Sequence, residues 1–362
     1  MASLSRLGNS LYRGDVSFNI VGRRKAWYAV SGILLILSIA TLGVRGLNLG
    51  IEFKGGAEFS VPVAQATDQS VTQGRETVIA AGETPSSVTI VGGDTVRIQT
   101  PALTTEESNA LSSALAESFG VPEAEIKVQL VGPTWGDEVS KNAARALLVF
   151  LVLVAIFLAV YFEWPMAIAA LVALAHDVLI TVGVYALSGF EVTPASVIGF
   201  LTILGYSLYD TVVVFDKVRE NTHGIHGGSR STYSEAANLA LNQTLVRSIN
   251  TSIVALLPVL SILVVGVSLL GVGTLNDLAL ALFVGMLVGT YSSIFVATPI
   301  LCQIKERQAE NIALAKRVAA RRKSGSAGDE VKAVVAPGAP IVSSAGPRQQ
   351  QVKKTRARRT KQ

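Results

Sequence analysis

The sequence predicts a polytopic α-helical membrane protein with six transmembrane helices and one small α+β domain between the first two. Three observations lead there. Half of the 362 residues are hydrophobic and only 16% are charged, against about a quarter in ordinary soluble domains. The apolar residues gather in six runs, each near the roughly 20 residues that cross ~30 Å of hydrocarbon. The long segment between the first and second runs instead alternates in strand and helix periods.

The spans are expected near 26–44, 143–161, 165–187, 194–215, 247–267 and 277–300. The first, "AWYAVSGILLILSIATLGV", follows "GRRKAW" and resembles a signal peptide in layout. Its apolar stretch is too long and no small-residue cleavage site follows, so it reads as an uncleaved anchor. Arg23, Arg24 and Lys25 precede this span; Lys217, Arg219 and Arg230 lie between the fourth and fifth; beyond residue 303 there are 15 Lys or Arg against 4 Asp or Glu. With six spans these basic groups fall on one side, so both termini are expected in the cytoplasm. The division is then a cytoplasmic segment 1–25, the first span 26–44, an extracytoplasmic domain 45–142, the remaining spans within 143–302, and a basic cytoplasmic tail 303–362.

The segment 45–142 is too long for a plain loop. "AEFSVPV" reads as a strand and "SVTQGRETVIAAG" as a helix. "SSVTIVG" and "TVRIQT", separated by turn residues, form a hairpin signal. "PALTTEESNALSSALAESFG" opens as a capped helix and "EIKVQLVGP" closes with a strand. The order β-α-β-β-α-β is that of the ferredoxin-like split arrangement. After residue 320, "SGSAGDE", "APGAP" and "SSAGPRQQQ" lack an apolar period and read as disordered. A basic tail beside membrane spans is expected near anionic lipid headgroups or ribosomes; no binding of nucleic acid in its own right is expected.

Composition excludes several chemistries. Cys302 is the sole cysteine and there are three histidines, which excludes an internal disulfide framework and leaves no cysteine cluster for a metal. His223 and His226, in "HGIHGG", have a metal-compatible spacing but sit in a Gly-rich loop without further ligands, so no metal and no cofactor are expected. No GxxxxGK[ST] phosphate loop occurs, which argues against ATP hydrolysis and against an enzyme.

The chemistry that remains lies within the spans. Asp210 interrupts "LTILGYSLYDTVVVF", and a carboxylate at membrane depth is costly unless neutralised, paired or wet. His176 and Asp177 fall in the middle of the third span, and Arg247 opens the fifth. Helical spacing puts Arg247, Asn250, Thr251, Val254 and Pro258 on one face, and Tyr206 and Ser207 on the face of Asp210. An Asp210–Arg247 pair across antiparallel neighbours is geometrically feasible, and a carboxyl between burial and a fixed cation suits a proton relay. The alternative is that these groups lock the helices together as buried hydrogen-bonded pairs. Gly285, Gly289, Ser292 and Ser293 make a small-residue surface on the sixth span that suits close helix contact.

"GRRKAWYAVSG", "NLGIEFKGG", "ALAHDVLITVGVYAL", "GYSLYDTVVVFDKVREN", "NQTLVRSINTS" and "GTYSSIFVATPIL" occur in the order and setting of the SecF branch of the SecD/SecF family. The resemblance covers about residues 15 to 305 and places the chain in the resistance-nodulation-division superfamily. It implies an auxiliary subunit that pairs with SecD and uses the proton-motive force to assist SecA- and SecYEG-dependent preprotein translocation across the cytoplasmic membrane. It also implies that Asp210 and Arg247 belong to the proton pathway, with a further aspartate supplied by SecD. Read from the residues alone, Asp177 is either a further proton-relay candidate or a packing contact, and the Gly-rich sequence at Gly55 and Gly56 is either a hinge below the extracytoplasmic domain or an ordinary turn. The chain departs from the usual "GIDFKGG" in having Glu52, which keeps the charge. Rival readings are a half-size proton-driven exporter of a small molecule or lipid, and a translocon scaffold that moves no protons.

Overall fold

The computed structural model describes residues 16–265 and 273–333; the expected segments 1–15 and 334–362 and the end of the expected fifth span lie outside them. Six helical segments are long and apolar enough to cross a membrane. They are α1 (Arg24–Arg45), α5 (Pro133–Tyr161), α6 (Trp164–Ser188), α7 (Pro194–Thr222), α8 (Tyr233–Val265), and a sixth built of α9 (Gly273–Ser292), a π-helical turn (Ser293–Ala297) and α10 (Thr298–Glu306). α5 and α8 begin well before the apolar runs, because polar first turns continue the same helix beyond its hydrophobic part. Pro133 at the start of α5 and Pro194 at the start of α7 occupy the first helical turn, where no amide hydrogen bond is lost.

The domain between α1 and α5 follows the order β-α-β-β-α-β. Its elements are β2 (Gly56–Pro62), α3 (Asp68–Ala80), β3 (Ser87–Val91), β4 (Thr95–Thr100), α4 (Thr105–Phe119) and β5 (Lys127–Val131). The four strands form an antiparallel sheet in the order β3-β4-β2-β5. Alternation along β2 sends Ala57, Phe59 and Val61 into a core shared with Val96 and Ile98 of β4, Val78 of α3, and Leu111 and Leu115 of α4. α4 starts where its sequence says it should: Thr104 and Glu107 close a reciprocal cap, and Gly120 ends the helix in a left-handed conformation.

This domain is held to the bundle by short elements. β1 (Asn48–Leu49) pairs in parallel with β6 (Glu191–Val192), in the turn between α6 and α7. The short helix α2 (Ile51–Lys54) lies on the start of α5, where a Cβ on Gly136 would stand 2.8 Å from the Phe53 carbonyl oxygen. Gly55 and Gly56 both have positive φ, and a Cβ at Gly56 would stand 2.6 Å from the Thr100 carbonyl oxygen. Only glycine fits both the conformation and the space at this corner.

In the bundle, α6 is buried along much of its length, whereas α1, α5 and α8 bury little of themselves and leave wide apolar faces open. Close crossings use small residues. A Cβ at Gly183 of α6 would fall 2.2 Å from Ser38 Oγ of α1, and one at Gly289 of α9 would stand 2.9 Å from Ser207 Cβ of α7. Ahead of α1, the backbone amides of Phe18 and Ile20 donate to Asn242 and Asn238 of α8.

One expectation is corrected here. α11 (Ala309–Ala333) is helical past residue 320, where disorder was expected. Leu314 and Val318 are buried, Arg317 donates to the His226 carbonyl, and Arg322 pairs with Glu235. An Ala-, Lys- and Arg-rich run is a good helix former, and docking of two apolar residues supplies what the run's weak apolar period did not advertise.

Candidate functional site

Asp177 and Asp210 lie buried among the spans, each held by hydroxyls from other helices. Asp177 of α6 is 1% exposed. Its Oδ2 accepts from Ser207 Oγ of α7 at 2.5 Å and from Ser292 Oγ of α9 at 2.8 Å, and its Oδ1 lies 3.0 Å from His176 Nδ1. Three spans thus converge on one carboxyl group. His176 Nε2 is buried without a hydrogen-bond partner among the described residues, and its ring stacks near Tyr291, 6.2 Å between centroids.

Asp210 of α7 is 5% exposed. Ser248 Oγ of α8 donates to its Oδ1 at 2.7 Å, while Oδ2 has no hydrogen-bond partner among the described residues. Beyond Ser248 the hydroxyls continue. Ser252 Oγ lies 2.6 Å from Thr290 Oγ1 of α9, and Tyr206 OH donates to Ser252 at 3.3 Å. Next along α7, the Thr211 and Ser293 hydroxyls lie 2.9 Å apart. Ser293 opens the π-helical turn, a local widening that occurs often at functional sites.

The sequence expectations fare unevenly against this geometry. Asp210 is buried as its setting in an apolar run implies, and Ser207 and Tyr206 join the network. Neither of those two bonds to Asp210: Ser207 serves Asp177 and Tyr206 serves Ser252. Arg247 is exposed and makes no ion pair with Asp210 among the described residues. Asn250 is also exposed and Thr251 is half-buried. The inward face of α8 is instead Thr244, Ser248 and Ser252, one residue out of phase with the predicted polar face. Periodicity fixes a helix's spacing but not its phase, and a Thr/Ser/Ser series at four-residue intervals in an apolar helix was the signal available. Ser292 and Ser293 stand out in the sequence only as small residues, and in the structure their hydroxyls meet Asp177 and Thr211. His176 and Asp177 come together although they are adjacent in sequence, because both side chains bend toward one another at the helix surface.

The alternatives that composition left open are narrow. Among the described residues no group of three or more His, Cys, Asp or Glu side chains is placed to hold a metal ion. His226 hydrogen-bonds Asn311 of α11. The arrangement offers carboxyl groups that can take up protons, a chain of hydroxyls that can donate and accept, and tight helix crossings. Fold and site together define a multi-pass membrane protein with acidic groups buried among its spans.

Comparison with known proteins makes the assignment specific. The family model described as protein export membrane protein SecD/SecF, C-terminal, matches residues 111–307, and that of the SecD/SecF GG motif matches residues 40–67. Protein translocase subunit SecF of Streptomyces coelicolor is 49% identical over 91% of this chain and 88% of its own, and that of Mycobacterium tuberculosis 49% identical over 88% and 74%. A crystal structure of SecDF from Thermus thermophilus, described as a translocon-associated membrane protein, aligns with a TM-score of 0.70 at 32% identity over 81% of this chain. The match spans 39% of that longer SecDF chain. The chain belongs to the SecD/SecF family of protein export membrane proteins.

Proposed function

We propose that this chain is a SecF-type subunit that works with SecD in the cytoplasmic membrane and uses the proton-motive force to assist preprotein movement through SecYEG after SecA has begun it. Membership of the family supports the export role. The observation that supports proton coupling is Asp210: a buried carboxyl in a span, with one oxygen bonded to Ser248 and the other without a hydrogen-bond partner among the described residues. A purely structural role at this depth is served at lower cost by Ser, Thr or Asn.

In this reading the α+β domain 45–142 is extracytoplasmic, both termini are cytoplasmic, and the basic tail lies near anionic lipid. Gly55 and Gly56 form the corner about which the domain moves. Arg247, Asn250 and the apolar Val254 share the open face of α8, so a relay from Asp210 past Arg247 would be completed at the surface against SecD, with Asp177 as a second proton acceptor. One charge crossing 100 mV is worth about 2.3 kcal/mol, while swinging a two-state element from 1:99 to 99:1 takes about 5.5 kcal/mol. A single proton biases such a cycle, and more than one, or bound preprotein, completes it.

The test is preprotein export into inner-membrane vesicles that carry SecD and either this chain or its Asp210→Asn form, with and without a proton gradient after SecA-driven initiation. Loss of the gradient-dependent part at unchanged assembly is the expected result. Unchanged gradient-dependent export would place Asp210 among the structural contacts.

A further inference from the structure

Charge is concentrated where the α+β domain meets the bundle. Arg97 of β4 and Glu191 of β6 form an ion pair, Nη2 to Oε2 2.8 Å, with side chains 19% and 5% exposed. Gln99, two residues on along β4, donates from Nε2 to Glu191 Oε1 at 2.9 Å and to Glu58 Oε2 of β2 at 3.0 Å. One amide group therefore ties two carboxylates, one from the domain and one from the bundle. Glu52 of α2 joins them: a Cβ on Gly50 would stand 2.5 Å from Glu52 Oε2 and 3.0 Å from Glu191 Oε1, so both oxygens lie about one point.

The donors run out before the acceptors do. Among the described residues Glu52 Oε2 is buried with no hydrogen-bond partner, and so is Oδ2 of Asp277, a residue 5% exposed at the start of the sixth span. Asp277 lines the same cleft as Arg97 and Glu191, and its backbone carbonyl accepts from Tyr185 OH of α6. The groups facing one another are thus Glu52, Glu58, Glu191 and Asp277 against Arg97; on α5, which packs against α2, Asp137, Glu138 and Lys141 are exposed and turn to solvent. A buried carboxylate without donors is strongly disfavoured, and neighbouring carboxylates that share a site hold a proton between them.

We propose that this cluster is a proton-binding site separate from the Asp210 network, and that its proton fastens the α+β domain to the membrane bundle. Glu58, Arg97 and Gln99 belong to the domain; Glu191 and Asp277 belong to the bundle. Protonated, the junction is held by the Arg97–Glu191 pair and the Gln99 bridge. Deprotonated, it sets like charges against one another across the seam. Burial pushes the Glu52 carboxyl up, a hydrogen bond from its own backbone amide opposes this, and Glu191 and Glu58 add to the rise while Arg97 also opposes it. A group raised in the docked state favours docking while protonated and withdraws that support as pH climbs through its raised value. The proposal rests on the junction's own geometry and holds whether or not Asp210 carries protons.

The experiment uses the full chain in lipid nanodiscs with no gradient, spin-labelled at Ser113→Cys on α4 and Leu187→Cys at the end of α6; both positions are exposed, and the native Cys302 is buried. Pulsed EPR is expected to give a short, narrow distance distribution at mildly acid pH that lengthens and broadens at mildly alkaline pH. The Glu52→Gln/Asp277→Asn pair is expected to stay short throughout, and Asp210→Asn to respond as the parent does. A parent distribution that ignores pH, or a double variant that responds unchanged, overturns the proposal. An infrared carboxyl band of the parent at mildly acid pH, lost stepwise in Glu52→Gln and Asp277→Asn, is the second readout. If neither substitution alters that band, the site holds no proton and the proposal falls.

Discussion

Gly289 of α9 lies against Ser207 of α7 so closely that a Cβ at position 289 would stand 2.9 Å from the Ser207 Cβ, and Ser207 is the residue that gives Asp177 its 2.5 Å hydrogen bond. The crossing of the fourth and sixth spans and the setting of the third span's carboxylate are therefore one feature. One turn earlier, a Cβ on Gly285 would run into Ile203 of the same helix, so the two helices have no slack along two turns. Packing of this kind is stable in one arrangement and resists gradual deformation.

Gly289→Ala is accordingly expected to push α9 off α7, at a cost of about 1–3 kcal/mol typical of overpacking. It should lower the thermal midpoint of the purified chain and reduce gradient-dependent export together. Adding Ser207→Gly removes the opposing Cβ and should recover most of the midpoint, but not export, because Asp177 is then short of a donor. Recovery of both would show that Ser207 matters only for packing.

How far this network could be read beforehand depends on the kind of signal each residue leaves. Asp210 was legible because a single charge in an apolar run is conspicuous at any phase of the helix. Ser248 and Ser252 were not, since serine is common in spans and the face chosen around Arg247 was one residue out of register. The Arg97–Glu191 contact joins positions far apart in sequence, through a two-residue pairing of β1 with β6 too short to carry a strand signal. The strands, helices and turns of the α+β domain were legible almost throughout, because each carries local turn or capping chemistry, as at Thr104 and Glu107.

Ser248→Ala tests whether the hydroxyl positions Asp210. A hydrogen bond to a charged group is worth about 1.5–3 kcal/mol, so the variant should lose gradient-dependent export roughly ten- to a hundredfold while assembling normally. Asp210→Asn should lose it altogether, and the double variant should be no worse than Asp210→Asn alone. Equal residual activity in Ser248→Ala and its parent would mean that Asp210 works without this bond.

Arg97→Met should be among the most disruptive substitutions in the α+β domain. It leaves Glu191, 5% exposed on its side chain, without its cation, and breaking a buried pair from one side costs about 3–5 kcal/mol. The sheet itself does not depend on the pair, so the domain should stay folded while its seam with the bundle opens. Limited proteolysis near 46–50 and around Gly189 should accelerate, with strand amides of β2 and β4 still protected from hydrogen exchange. If protection is lost throughout the domain, Arg97 supports the fold rather than the seam.

The docking of α11 separates a contact that matters from one that does not. Leu314 and Val318 are buried and Arg317 reaches the His226 carbonyl, whereas the Arg322–Glu235 pair is exposed on both sides. Exposed pairs contribute about 0–1 kcal/mol, so Glu235→Gln should leave the tail helix where it is. Leu314→Asp with Val318→Asp places two carboxylates where apolar side chains were buried, and should release α11 to proteolysis without changing the midpoint of the spans. Should Glu235→Gln release the helix as readily as the double aspartate does, electrostatics rather than burial holds it, and raised salt would then release it in the parent as well.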